Sequence, residues 1–172
     1  MPVVLDKMIH DIDILLSLVK SEVSSLEATG MSIITDSLDM AHARIQFKNG
    51  TTASLMSSRI AQHDVRKIKL FQKNLYSTID LLKGTTEIYK VEKNEKYKSD
   101  ILKSADFQRN GKKRLITYMK PEIKKHDALE LELRNFSNSI IGKEKPIVDG
   151  KSGRDALSIA LDIQTIIKKD FF

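Results

Sequence analysis

The order of its apolar patterns is the feature that most constrains the fold of this chain. Residues 4–20 and 127–141 repeat apolar side chains at the three- and four-residue spacing of one helix face, and a third such segment follows Asp149 and Ser152, either of which can cap it. The segments between them are rich in β-branched and small residues, as strands are. One helix, a run of strands and two closing helices predict an α+β fold with an antiparallel sheet.

The connections between the predicted strands are short, so we expect neighbouring strands to pair antiparallel as a meander. The clearest local signal is Asn49-Gly50, a dipeptide typical of β-hairpins. Between residues 51 and 82, apolar and small residues occupy both faces of the strands, which predicts that the face turned away from the helices is covered by a partner. The predicted strands are residues 21–32, 40–48, 51–61, 65–72, 76–82, 87–93 and 114–119, with a long loop or irregular excursion over residues 94–111.

Composition narrows the class of protein. The length of 172 residues fits one domain. The net charge is +6, but the lysines of the segment 90–125 are mixed with acidic residues. This mixture favours a solvated surface over a nucleic-acid groove. The chain has no cysteine, which excludes disulfides and thiolate sites and suits a cytoplasmic location. No apolar run has the length of a membrane span. We therefore expect a single cytoplasmic domain that binds neither nucleic acid nor membrane.

A polar stripe on the first predicted helix carries candidate chemistry. Asp6, His10 and Asp13 are four and three residues apart, so a helix places them on one face, separate from the apolar stripe. A carboxylate beside a histidine favours its protonated form, and such a pair can take a proton from a substrate hydroxyl and return it. A solvated helix face is one alternative, and a metal site is another. The other three histidines have no spacing that joins them to this stripe, and we predict no metal.

These residues also resemble the signature of a known family. Three stretches, in the same order and spacing, are similar to the glucose-fructose oxidoreductase and inositol dehydrogenase (Gfo/Idh/MocA) family of NAD(P)-dependent oxidoreductases: Asp6-x-x-x-His10-x-x-Asp13, the hairpin from Asn49 to Arg59, and the closing loop and helix start from Gly142 to Leu157. The resemblance implies that residues 1–172 are the C-terminal substrate-binding and oligomerisation domain. It implies an open-faced, mainly antiparallel β-sheet with helices packed on one face, and a homo-oligomer formed through the open face.

The resemblance also implies roles for individual residues. His10 would be the catalytic acid and base on the substrate hydroxyl, and Asp6 would orient His10 or bind the substrate. Asp13 would be a second polar contact with the substrate. Arg59 is a candidate for binding a substrate carboxylate or phosphate, because a guanidinium group binds such groups bidentately, with a plain salt bridge as the alternative.

The cofactor is expected to lie on another domain. None of the seven glycines follows the strand–turn–helix pattern of a dinucleotide fingerprint, so we predict no cofactor-binding residue and no cofactor bound to this chain alone. NAD or NADP would be held by an N-terminal dinucleotide-binding domain that is absent from this chain. Glu144-Lys145-Pro146 is similar to the family's catalytic-lysine triplet, but it lies downstream of the Asp-x-x-x-His helix rather than upstream, and we attribute it to loop composition.

Two hypotheses of different class follow. In the first, the chain is the C-terminal domain of an NAD(P)-dependent dehydrogenase that transfers a hydride between nicotinamide and a sugar, nucleotide-sugar or cyclitol hydroxyl. Alone, such a domain would be inactive. In the second, the chain is a non-catalytic dimerisation or interaction domain with the same fold, in which Asp6 and His10 are vestigial.

Overall fold

The structure is a computed structural model that describes residues 1–92, 103–109, 112–124 and 126–171. The predicted order of helix, strands and two helices is confirmed. A π-helical turn, Val4–Met8, leads directly into helix α1, Ile9–Leu18. The strands that follow are β1 (Val23–Met31), β2 (Met40–Phe47), β3 (Thr52–Ser58), β4 (Lys67–Gln72), β5 (Leu75–Asp80), β6 (Thr85–Glu92), β7 (Lys103–Arg109) and β8 (Lys112–Met119), and the closing helices are α2 (Ala128–Ile140) and α3 (Gly150–Phe171).

The strands pair antiparallel, which confirms the α+β class, but they form two sheets where the sequence predicted one meander. Strands β1, β2 and β3 form a three-stranded sheet, and the second sheet has the order β4-β5-β6-β8-β7. Residues 1–62 and 134–172 form one compact unit, and residues 63–133 form another. Strand β7 occupies part of the predicted loop, and the rest of that loop lies outside the described residues.

Helices α1 and α3 pack on one face of the three-stranded sheet. In the predicted strand 40–48, apolar residues alternate with polar ones in the sequence, and the structure confirms the face that this pattern predicts to be buried. Ala41, Ala43, Ile45 and Phe47 are buried, while the residues between them are less so. The core of this unit consists of Val3, Val4, Met8 and Ile12 from the first helical segment, Ala41 and Ala43 from β2, and Ala156, Ala160, Ile163 and Ile167 from α3.

The π-helical turn changes which side of the first helix is buried. The sequence predicted one α-helix over residues 4–20, with Leu5 and Ile12 on its core side. The structure buries Val4, Met8 and Ile12 and leaves Leu5 half-buried. In an α-helix each step of four residues rotates the side chain by about 40° beyond a full turn. A π-helical turn contains more residues than an α-helical turn, so four residues within it rotate the side chain by less than a full turn. This offsets the excess rotation of the α-helix and keeps Val4, Met8 and Ile12 on one side.

The five-stranded sheet of the second unit carries a row of aromatic side chains on one face. Phe71, Tyr76, Tyr89 and Tyr118 occupy paired positions on β4, β5, β6 and β8. Successive ring centroids are 4.9, 5.8 and 4.9 Å apart, and Phe71 is 75% exposed. The first two pairs of rings are stacked and the third is tilted, so the row offers ring edges more than ring faces to an incoming molecule.

The second helix departs from its predicted place. Its apolar stripe was expected to join the core, but Leu129, Leu133, Phe136 and Ile140 are between 56% and 70% exposed. The helix ends at Ile140, one residue before the end of the predicted range, and Gly142 follows with a φ of 72°, the left-handed conformation that glycine adopts most easily. In the described part of the chain, no helix is both long enough and apolar enough to cross a membrane.

Candidate active site

The first helical segment presents the predicted catalytic side chains at the surface of the first unit. Asp6 lies in the π-helical turn and His10 in the first turn of α1, and both are exposed, while Asp13 is half-buried. The buried side chains of Val4 and Met8 anchor this segment in the core of the first unit. Within the described ranges, no hydrogen bond or ion pair joins His10 to either carboxylate. The imidazole is therefore open to a ligand from solvent.

Arg59 is the predicted site residue that the fold brings to Asp6. Strand β3 ends at Ser58, one residue before Arg59, and the Arg59 backbone N–H donates to the carbonyl of Asp39 at 3.0 Å. Its Nη2 lies 3.7 Å from Oδ2 of Asp6, and its Nε lies 3.9 Å from Oδ1 of Asp39. The same Nη2 donates to the carbonyl of Met1. The salt-bridge alternative for Arg59 is thus present in the structure.

Asp39 is a site residue that sequence reasoning missed. Its carboxylate is fully buried and accepts hydrogen bonds from the backbone N–H groups of Ile33, Ile34 and Thr35 at 2.8, 2.7 and 2.9 Å, and from the Thr35 hydroxyl at 2.7 Å. The backbone donors of Thr35, Ile34 and Ile33 hold the pKa of Asp39 well below its ordinary value, although burial opposes them. The available signal was the cluster Thr35-Asp36-Ser37, since such residues form tight side-chain-to-backbone turns.

The strand ends and the helix start converge at this carboxylate. The Asp39 N–H donates to the carbonyl of Met31 at the end of β1, and the Val3 N–H donates to the carbonyl of Leu38 at 2.9 Å. Asp39 immediately precedes β2, and Arg59 immediately follows β3. The three-stranded sheet therefore fixes the position of the π-helical turn, and with it the position of Asp6.

The described residues do not offer the elements of a dinucleotide site. Gly30 lies inside β1, and Gly50, Gly84 and Gly142 have positive φ values in turns. The remaining described glycines belong to the first turns of α3, which follows a loop rather than a strand. The fingerprint needs a glycine-rich turn between a strand and a helix. Nor do the described ranges contain a group of three histidine or carboxylate side chains that could hold a metal ion.

The Glu144-Lys145-Pro146 triplet accepts hydrogen bonds from side chains of α2. The Asn135 side-chain amide donates to Oε2 of Glu144 at 3.1 Å and to the Lys145 carbonyl at 3.2 Å. Asn138 donates to Oε1 of Glu144 at 3.1 Å. These contacts fasten the loop after α2 to that helix, which supports the assignment of this triplet to loop structure.

Comparison with known proteins places these residues in a family. Residues 2–73 match the model of the GFO/IDH/MocA C-terminal domain, and this segment includes Asp6, His10, Asp39 and Arg59. Residues 2–73 are thus similar to the C-terminal domain of GFO/IDH/MocA proteins. The resemblance inferred from the Asp-x-x-x-His motif is thus confirmed for the segment that contains the motif.

Comparison with individual proteins extends the similarity to nearly all of the chain. It is 30% identical over 169 residues to UDP-N-acetylglucosamine 3-dehydrogenase of Acidithiobacillus ferrooxidans, with 96% of this chain and 49% of that protein covered. A solved structure of that dehydrogenase, GnnA, has a TM-score of 0.80 and 29% identity over 98% of this chain and 48% of the solved chain. The fold is shared with the structure of an NAD-binding protein from Listeria innocua. The TM-score is 0.72, and the identity is 20% over 98% of this chain and 46% of that chain. The chain spans about half the length of these relatives.

Proposed function

We propose that this chain is the substrate-binding half of an NAD(P)-dependent dehydrogenase that acts on a hydroxyl of a sugar, a nucleotide sugar or a cyclitol. The observation that carries the proposal is the exposed Asp6 and His10 pair, which lies within the residues that match the family. The 30% identity to a UDP-N-acetylglucosamine 3-dehydrogenase supports a nucleotide sugar as the first substrate to test.

His10 is the proposed acid and base. Its imidazole is exposed at the start of α1, so a substrate hydroxyl can approach it without any rearrangement of the core. During oxidation His10 takes the proton of the hydroxyl, and during reduction it returns that proton. Asp6, one turn earlier, is the proposed orienting or substrate-binding carboxylate, and the half-buried Asp13 is the proposed second polar contact.

The nicotinamide supplies hydride transfer when it is bound, and the described residues do not fit it. We therefore assign the dinucleotide to a separate N-terminal domain of the complete enzyme. Two observations support a missing partner domain. The chain covers 49% of its dehydrogenase relative, and the apolar stripe of α2 has side chains that stay more than half exposed. Stripes of this kind on a soluble protein mark interaction surfaces.

A homo-oligomer is the second part of the proposal. The aromatic row on the five-stranded sheet, defined by Phe71, Tyr76, Tyr89 and Tyr118, supports it, since aromatic side chains are enriched in protein interfaces. We assign this face to a second copy of the chain, because isologous pairing is the commonest oligomer type. The same row also favours the second candidate function, a non-catalytic dimerisation domain. The expected cytoplasmic location stays a prediction.

The two candidate functions are separated by one substitution in the complete enzyme that contains this chain. His10→Asn keeps the size and polarity of the side chain but removes a group that can carry the proton at neutral pH. We expect its kcat with UDP-N-acetylglucosamine and NAD or NADP to fall by about 10²–10⁴-fold, with little change in cofactor binding. His42→Asn, on the outer face of β2, is the matched control and should leave kcat unchanged. Full turnover in His10→Asn would exclude the catalytic role.

A further inference from the structure

Arg59 is held in a position that suits a supporting role better than a direct contact with substrate. Its side chain is 24% exposed, and its Nε is buried and makes no hydrogen bond to the described residues. The two nearest carboxylates lie on different elements, Asp6 on the π-helical turn and Asp39 before β2. The guanidinium group therefore lies between the surface site and the interior of the first unit.

The inner carboxylate acts as a fixed anchor. Four hydrogen bonds from Ile33, Ile34 and Thr35 hold the Asp39 carboxylate in one orientation inside the unit. A buried carboxylate that accepts several N–H bonds stays ionised, so it presents a permanent negative charge. A buried charge requires a counter-charge, and Arg59 supplies it at 3.9 Å.

The outer carboxylate is held by the same group. Asp6 belongs to a turn whose neighbours Val4 and Met8 are buried, so its backbone is fixed, but its side chain reaches solvent and would otherwise sample several rotamers. Nη2 of Arg59 restricts that freedom, because it attracts Oδ2 at 3.7 Å while Nε stays close to Asp39. An arginine suits this task, since its planar guanidinium group presents donors in fixed directions.

We infer that Arg59 is a positioning residue that acts on the reaction through Asp6, with Asp39 as its anchor. This inference rests on the proposed function, because it gives Asp6 a place in the substrate site. It replaces the direct contact between Arg59 and a substrate carboxylate or phosphate that the sequence suggested. Misplacement of a reacting or orienting group by about 1 Å can cost roughly 10²-fold in rate, so the effect of Arg59 on turnover should be large.

A double-mutant cycle in the complete enzyme tests the inference. Arg59→Ala should lower kcat by about 10²-fold and change the KM for substrate little. In an Asp6→Asn background, the same substitution should cause no further loss, because the residue through which it acts is already disabled. Arg59→Lys should recover part of kcat, since it keeps the charge but not the planar fork. Arg44→Ala is the control, because Arg44 forms a comparable ion pair with Glu27 on the outer face of the sheet.

The outcomes separate this inference from the proposed function. Equal losses from Arg59→Ala in both backgrounds, or a raised KM in both, would overturn the positioning role and favour a direct substrate contact. His10→Asn with full turnover would instead defeat the proposed function.

A measurement on the 172-residue chain needs no activity. Arg59→Ala should change the three-bond Hα–Hβ couplings of Asp6, which report its side-chain rotamers, whereas Arg44→Ala should leave them unchanged. Unchanged couplings in Arg59→Ala would show that Arg59 does not position the Asp6 side chain.

Discussion

Gly30 in β1 lies directly against Ile167 in α3. A Cβ atom built on Gly30 would lie 3.1 Å from Cδ1 of Ile167 and 2.8 Å from the carbonyl oxygen of Met40 on the neighbouring strand. The close approach lets α3 pack against β1 beside the buried residues of β2. Glycine is required here by space rather than by backbone conformation, because its φ is not positive.

Gly30→Ala should therefore destabilise the first unit. The backbone carbonyl of Met40 cannot move without disturbing the β1–β2 pairing, so the added methyl group should cost about 1–3 kcal/mol of unfolding free energy, the usual range for overpacking. Urea denaturation at neutral pH measures this loss. Gly153→Ala is the control, because a Cβ atom added there would meet no neighbouring side chain within 4 Å and alanine favours a helix. Equal stability of Gly30→Ala and the parent chain would contradict the packing described for β1 and α3.

The buried carboxylate of Asp39 should make stability depend on pH in acid. Its folded pKa is depressed, so its contribution is complete above the unfolded pKa of about 4 and is lost as the pH falls through the lower folded pKa. Asp39→Asn should lower the melting temperature by several degrees at pH 7, and this difference should shrink below about pH 4. Thermal unfolding followed by circular dichroism provides the measurement.

The control for this series is Asp36→Asn, which changes the same side-chain type on an exposed residue of the same loop. It should leave the melting temperature nearly unchanged at pH 7. If both substitutions lowered it equally, the effect would come from the net charge of the loop and not from the hydrogen bonds to Asp39.

The aromatic row should determine the oligomeric state. Phe71→Glu places a charge on the most exposed ring of the row and should convert a dimer or larger species into a monomer in sedimentation experiments at micromolar concentration. Gln72→Glu introduces the same charge at the next position of β4, on the opposite face, and should leave the oligomer intact. A parent chain that sediments as a monomer would refute the predicted homo-oligomer.

The chain alone should bind nicotinamide dinucleotides weakly. The described glycines do not form a glycine-rich turn at a helix N-terminus behind a strand, which is the usual place for the pyrophosphate. Isothermal titration of the 172-residue chain with NAD and NADP, up to millimolar concentration, should show no micromolar affinity for either. A tight complex would disprove the assignment of the cofactor to a separate domain.

Several parts of the fold were predictable because they depend on near neighbours along the chain. Asn49-Gly50 forms the predicted hairpin, with the Gly50 N–H donating to the Phe47 carbonyl and a three-residue loop closed by Thr51. Asp149 was predicted as a cap, and its carboxylate accepts the Ser152 N–H at 2.8 Å. Both structures arise from side-chain size, backbone freedom and hydrogen bonding within a few residues, so the local sequence is sufficient.

The division into two sheets was not predictable from strand patterns. β3 ends at Ser58 and β4 begins at Lys67, and the residues between them are polar or exposed. Alternation shows that a segment can be a strand, but it does not show which strand will lie beside it. The exposure of the α2 stripe has the same origin, since an apolar stripe requires a partner without specifying which one.

The sequence by itself determined the order of helices and strands, the buried face of β2 and the Asp-x-x-x-His pattern that carries the family resemblance. The tertiary structure decided that Arg59 joins Asp6 to Asp39, and that a π-helical turn sets which side of the first helix is buried. The physical reason is distance along the chain. Periodicity and turn chemistry are set by residues a few positions apart. The two ion pairs of Arg59, with Asp6 and with Asp39, exist because the ends of three strands and the start of a helix meet at one point.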